Sequence, residues 1–109
     1  MRKIESAMVA AIIANKTFSN GNTTVTRVNE SLHVHLHGNH IATVTSAGLS
    51  VLDGGWRSVT TKSRLNALIN GLCDGRNNGV YQRKGVWYVT KNGNDELFTN
   101  GVTFSRVSR

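Results

Sequence analysis

The sequence predicts an α+β fold in which two helices pack on a small antiparallel sheet built of hairpins, in the order α-β-β-β-α-β-β-β. Three observations predict it. Apolar residues recur at helical spacing in two stretches, near the start and in the middle of the chain, and at alternate positions elsewhere. Five Asn-Gly pairs and no proline describe a chain turned by short hairpins. A length of 109 residues leaves room for one domain and one core, so 1–109 is read as a single basic α+β domain.

Each element has its own signal. Ile4, Met8, Ala11 and Ile12 fall on one helical face within a run, 4–14, that lacks glycine, and Asn20-Gly21 is expected to break it. From residue 23 the period becomes two. Residues 23–28 are β-prone, and Leu32, Val34 and Leu36 alternate with His33, His35 and His37 as a half-buried strand requires. Gly38-Asn39 is expected to turn the chain into a returning strand at 41–45. That turn would place Val44 on the histidine face, so either a bulge intervenes or both faces are partly covered. Residues 49–52 form the next strand. A second helix follows, capped by Thr60 or Thr61, with Leu65, Leu68, Ile69 and Leu72 as its apolar stripe and Asn70-Gly71 as its stop. The last third returns to β structure at 80–83 and 86–90, around Lys84-Gly85, and then at 97–98 and 102–104.

Thirteen Lys and Arg against six Asp and Glu give a formal charge of +7. Polyanions are therefore the first partners to consider, namely DNA, RNA or an acidic protein surface. The cations are dispersed and form no polybasic tail, so folding must assemble any patch. Cys73 is the single cysteine, which excludes an internal disulfide and a cysteine-rich zinc module. No apolar stretch approaches the ~20 residues that cross a bilayer, and no leader pattern is evident. The expected setting is cytoplasmic, with no membrane partner. A homodimer is compatible with a core of this size.

Chemistry finds little support. His35, His37 and His40 could present three imidazoles and an open position to a metal, because His40 lies across the turn. No nearby carboxylate orients them, and a solvent-facing strand, or a contact surface that gains charge toward pH ~6.5, explains them as well. Cys73 ends an apolar stripe and reads as a small buried side chain. Asp95-Glu96 is the one adjacent carboxylate pair, placed in a turn where it would discourage strand aggregation. No nucleophile elbow or phosphate loop is present. No catalytic residue, cofactor or resident metal is expected, and the protein is not read as an enzyme.

Cations interleaved with aromatics are the stronger signal. Trp56, Arg57, Thr60, Thr61, Lys62 and Arg64 cluster at the start of the second helix, where backbone N–H groups and the helix dipole favour an anion. The plainer alternative is that Trp56 anchors the corner while the hydroxyls cap the helix. Arg83, Lys84 and Lys91 flank Trp87 in a hairpin, where cations can follow phosphates while aromatics stack on bases or pack inward. Alternation requires that either Trp87 or the Tyr81/Tyr88 pair faces outward, without saying which.

Three segments carry a resemblance: Leu36-His37-Gly38-Asn39-His40-Ile41-Ala42, then the run from Gly55-Trp56 through Thr60-Thr61-Lys62 to Arg64-Leu65-Asn66-Ala67-Leu68, then Tyr81-Gln82 with Trp87-Tyr88. In these the chain resembles a family of small proteins of unknown function from tailed-phage genomes. Of the four histidines the resemblance extends to His37 alone, so it does not imply a three-histidine metal set. It implies a phage or prophage origin and an accessory role. The expected function is nucleic-acid binding through a basic and aromatic surface. The alternative is a host-takeover or anti-defence inhibitor that docks on a bacterial nucleic-acid-handling protein or captures an anionic nucleotide.

Overall fold

The computed structural model describes residues 2–107. Helix α1 (Lys3–Ile13) is followed by strands β1 (Phe18–Asn20), β2 (Thr23–Val28), β3 (Ser31–Leu36), β4 (Asn39–Val44) and β5 (Gly48–Val51). Helix α2 (Val59–Leu72) precedes β6 (Gly79–Arg83), β7 (Val86–Lys91), β8 (Asn94–Leu97) and β9 (Val102–Ser105). The α+β class is as expected. The strands, however, number nine among the described residues and form two sheets, ordered β1-β2-β3-β4-β5-β9 and β6-β7-β8, where one sheet was expected. All pairings are antiparallel.

The second sheet exists because β9 abandons the C-terminal hairpins. After Asn100-Gly101 the Gly101 N–H donates to the Val51 carbonyl at 2.8 Å, and Phe104 comes to lie opposite Leu49. Burying Phe104 in the main core drives this switch, since the edge of the small sheet offers no equivalent cover. The Asp95-Glu96 pair accordingly sits on the exposed edge strand β8 and not in a turn.

The β3–β4 hairpin turns at His37 and Gly38, with φ of 52° and 78°, one residue earlier than Gly38-Asn39. Left-handed geometry at both positions suits the right-handed strand twist. Val34 opposes Ala42 and His35 opposes His40, which leaves Ile41 as an extra residue. This bulge buries both Ile41 and Ala42 and returns Val44 to the core opposite Leu32.

Both helices lie on the apolar face of the large sheet, and Met8, Ile12, Leu65, Leu68 and Leu72 pack with Val25, Val34, Val44 and Leu49 in one cluster. Helix α1 ends earlier than the Asn20-Gly21 break, where Asn15 takes φ of 59°. Helix α2 is capped by Ser58, whose Oγ accepts the Thr61 N–H at 3.1 Å, in place of Thr60 or Thr61. It also runs through Asn70-Gly71 instead of stopping there. A Cβ at Gly71 would overlap the Val9 side chain, so this glycine permits the close crossing of α1 and α2. Cys73 follows as a buried C-cap.

Candidate nucleic-acid interface

Asp53 organises the corner between β5 and α2. Its carboxylate accepts the Gly55 N–H at 2.7 Å and Arg57 Nε at 3.1 Å. Burial alone would raise this carboxyl, but those donors and the Arg57 charge hold it below its ordinary value. Gly54 takes φ of 69°, and a Cβ there would crowd Ile41 and Asn39, so the loop's approach to β4 needs glycine. The result is a projecting Trp56, 73% exposed. Beside it lies a cleft of about 260 Å³ between Leu36, His37 and Asn39 on one wall and Asp53, Trp56 and Ser58 on the other. The hydroxyls are largely engaged in capping. Ser58 Oγ and Thr61 Oγ1 are 2.9 Å apart, and Thr61 Oγ1 donates to the Trp56 carbonyl at 3.2 Å. Thr60 is half-buried on the same turn.

Arg57 connects this corner to the small sheet. Its guanidinium lies 5.6 Å from the Trp87 ring centroid and 5.3 Å from that of Phe98. Trp87 stands opposite Gln82 in the β6–β7 ladder, and Gln82 Oε1 accepts from Lys62 Nζ at 3.1 Å. Arg83 and Lys84 follow Gln82, with Lys84 in the turn at φ of 50°. Through these contacts Arg57 and Lys62 meet the inner face of the β6–β7 hairpin near its turning end, while Arg83 lies over the Tyr81 and Tyr88 rings on the outer face and Lys84 takes the turn. Two segments far apart in sequence thus bring cations to the two sides of one hairpin end.

Other expected members lie elsewhere. Arg64 is buried: its Nη1 donates to Glu5 Oε2 at 2.7 Å, Nε to Thr23 Oγ1 at 3.0 Å and Nη2 to Asn22 Oδ1 at 3.2 Å. It sits on the α2 face turned to α1 and β2, and cannot reach a ligand. Trp87 is 1% exposed and meets Phe98 edge-on at 5.3 Å, so it is core and not a stacking surface. Lys91 ends β7 opposite Asn94, about 17 Å of strand from the turn that holds Lys84. Arg106 donates to the Thr45 carbonyl at 3.1 Å, away from this surface, and Arg109 lies outside the described residues. The sequence-based set omitted Asp53 and Gln82, the residues that position Arg57 and Lys62. The pairing of Gln82 with Trp87 about the Lys84-Gly85 turn was the available signal.

The histidines form a different cluster from the expected one. His37 stands in the turn, whereas His33, His35 and His40 meet on the outer face of the large sheet. The His33 and His40 rings stack at 4.5 Å with an interplanar angle of 5°. Stacked rings direct their nitrogens sideways and not toward a common point. No group of metal-holding geometry occurs among the described residues. His40 Nε2 lies 2.8 Å from the Ala42 carbonyl, an obligate acceptor, and therefore carries a proton. Burial, then the charges of His40 and His35, lower the pKa of His33. His33 is paired across the sheet with Thr26 and Thr43, which supply no compensating carboxylate. Its lowered pKa stabilises the fold above the ordinary histidine value of 6.5, and this stability is lost as pH falls through the folded value. Urea denaturation at pH 7.5 and about 5 is expected to show the loss, and His33→Thr is expected to reduce it.

These features define a class: a small α+β domain with two helices over antiparallel sheets and a cationic surface flanked by aromatics. The chain belongs to the Kyanoviridae Gp96 protein family, a family of phage proteins, which it matches over residues 1–105. Comparison with curated proteins and with solved structures found no match. No helix among the described residues is long and apolar enough to cross a membrane.

Proposed function

We propose that this phage protein binds nucleic acid, acting in the host cytoplasm as a binding protein and not an enzyme. Arg57, Lys62, Arg83 and Lys84 contact backbone phosphates. The supporting observation is that the Lys62–Gln82 and Arg57–Trp87 contacts hold two cations against the hairpin end that carries Arg83 and Lys84. The charge balance agrees. Among the described residues only Arg57–Asp53 and Arg64–Glu5 meet ion-pair distance, and the first leaves the Arg57 side chain 41% exposed.

Fluorescence anisotropy with labelled DNA and RNA from about 50 to 200 mM salt tests the proposal. Four phosphate contacts give a log–log slope of about −3 to −4. Arg83→Glu with Lys84→Glu is expected to make the slope shallower by about 2, whereas Arg106→Glu leaves it nearly unchanged. Absence of binding at the low end of that salt range overturns the proposal.

A second reading draws on Trp56 and Val59, which are 73% and 69% exposed around the first turn of α2. An exposed tryptophan of this kind is a common anchor of protein interfaces. It fits an inhibitor that docks on a host nucleic-acid-handling protein. Capture of a host protein that survives nuclease and is lost in Trp56→Ala supports that reading over direct nucleic-acid binding.

A further inference from the structure

We infer that the outer face of the β6-β7-β8 sheet is a base-stacking platform, so that the nucleic acid taken is single-stranded; this rests on the nucleic-acid reading above. Alternation sorts the small sheet into two faces. Val80, Trp87 and Val89 turn inward to the core. Tyr81, Arg83, Tyr88 and Leu97 turn outward, the two tyrosines half-buried and Arg83 and Leu97 exposed. Tyr81 and Tyr88 are direct partners on adjacent strands, with ring centroids 5.5 Å apart and planes within 18°. Arg83 stands 5.7 Å from the first ring and 5.8 Å from the second. Leu97, opposite Tyr88 on β8, is 60% exposed. The row continues across all three strands, from an edge strand on which Tyr81 has no neighbour beyond it.

Such a row matches the chemistry of an unpaired base. Every base presents a π-face, so an aromatic platform beside a guanidinium binds single strands with little dependence on sequence. A duplex keeps its base faces stacked internally and offers the platform only phosphates. Charge sets the path of the strand. Asp95, on the same face two positions beyond the Tyr88–Leu97 pair, accepts from Thr90 Oγ1 at 2.7 Å and also hydrogen-bonds the Tyr81 side chain, which makes that edge of the platform unfavourable for phosphate. At the opposite end Arg83 stands over both rings and Lys84 holds the turn, which gathers positive charge there. The backbone therefore runs past the hairpin turn while the bases lie over the tyrosines.

Anisotropy with labelled oligothymidylate, oligouridylate and a DNA duplex of equal length, compared over the same salt series, tests the platform. Both single strands are expected to bind more tightly than the duplex. Tyr81→Ala and Tyr88→Ala are each expected to weaken single-strand binding by at least about fivefold, with an unchanged salt slope. The phenylalanine variants, which keep the ring, retain binding. Equal affinity for duplex and single strands, or wild-type affinity in both alanine variants, overturns the platform. If Arg83→Glu with Lys84→Glu still makes the salt slope shallower in that case, phosphate recognition survives alone. If no nucleic acid binds at all, both proposals fall.

Discussion

Replacement of Arg64 by alanine is expected to destabilise the fold by about 3–5 kcal/mol, measured by urea denaturation at neutral pH. That is a large fraction of the roughly 5–15 kcal/mol available to a domain of this kind. The cause is not the loss of an attraction in water. Glu5 and Arg64 are 2% and 3% exposed, so removing the guanidinium strands a carboxylate between α1 and α2. The same substitution also removes donors to Thr23 and Asn22, which couple α2 to the start of β2. Lysine is not an adequate substitute, because its single ammonium cannot meet three acceptors fixed in different directions.

The pH dependence separates this mechanism from simple loss of packing. Burial would raise the Glu5 carboxyl, but Ser63, Arg64 and the Arg2 N–H together hold it below its ordinary value of 4.5. In the wild type, the stability Glu5 contributes is complete above that ordinary value and is lost as pH falls through the folded one. Without Arg64 the desolvation remains while the Arg64 hydrogen bond and charge no longer offset it, so Glu5 protonates more readily and the stranded charge is relieved. The stability gap between wild type and Arg64→Ala is therefore expected to narrow on acidification. Glu5→Gln leaves the cation unpaired and should show no such narrowing. Replacing both partners together, with Glu5→Leu and Arg64→Met, is expected to recover most of the loss, since an apolar pair carries no desolvation cost.

Arg64 also shows where the sequence was legible and where it was not. The apolar stripe of α2 was readable because Leu65, Leu68, Ile69 and Leu72 repeat at helical spacing, and all four are buried. Arg64 precedes Leu65 by one position, which lies toward the same face, but charge argued for solvent. Its partner is an acidic residue near the N-terminus, and no local pattern links positions so distant. The departure of β9 to join β5 has the same origin. Turns were easier to locate than to place, because His37 accepts the left-handed conformation that glycine and asparagine were expected to occupy. Gly71 was read as a helix stop because glycine often is one, yet here its missing side chain accommodates Val9. The candidate interface was half legible. Both basic segments were visible, but which cations met, and which were consumed inside, depended on long-range packing.

Trp87→Ala is expected to cost about 3–5 kcal/mol, and it decides which aromatics of the hairpin hold the fold together. Alternation alone allowed either Trp87 or the Tyr81/Tyr88 pair to face solvent. The structure places the indole among the core residues, edge-on to Phe98 and beneath the Arg57 guanidinium. Truncation therefore opens a cavity, loses the aromatic pair and frees Arg57 from one of its two ring contacts. Arg57 keeps Asp53, so the cationic surface should loosen before it disperses. Tyr81→Ala and Tyr88→Ala, on the opposite face, are expected to cost far less stability. Fluorescence gives an independent check with two single-tryptophan proteins. Trp56→Phe leaves the buried indole, with blue-shifted emission and resistance to acrylamide; Trp87→Phe leaves the exposed one, red-shifted and readily quenched. Were the hairpin inverted, both single-tryptophan proteins would emit red-shifted and quench readily, and the tyrosine substitutions would unfold the domain while Trp87→Ala left it standing.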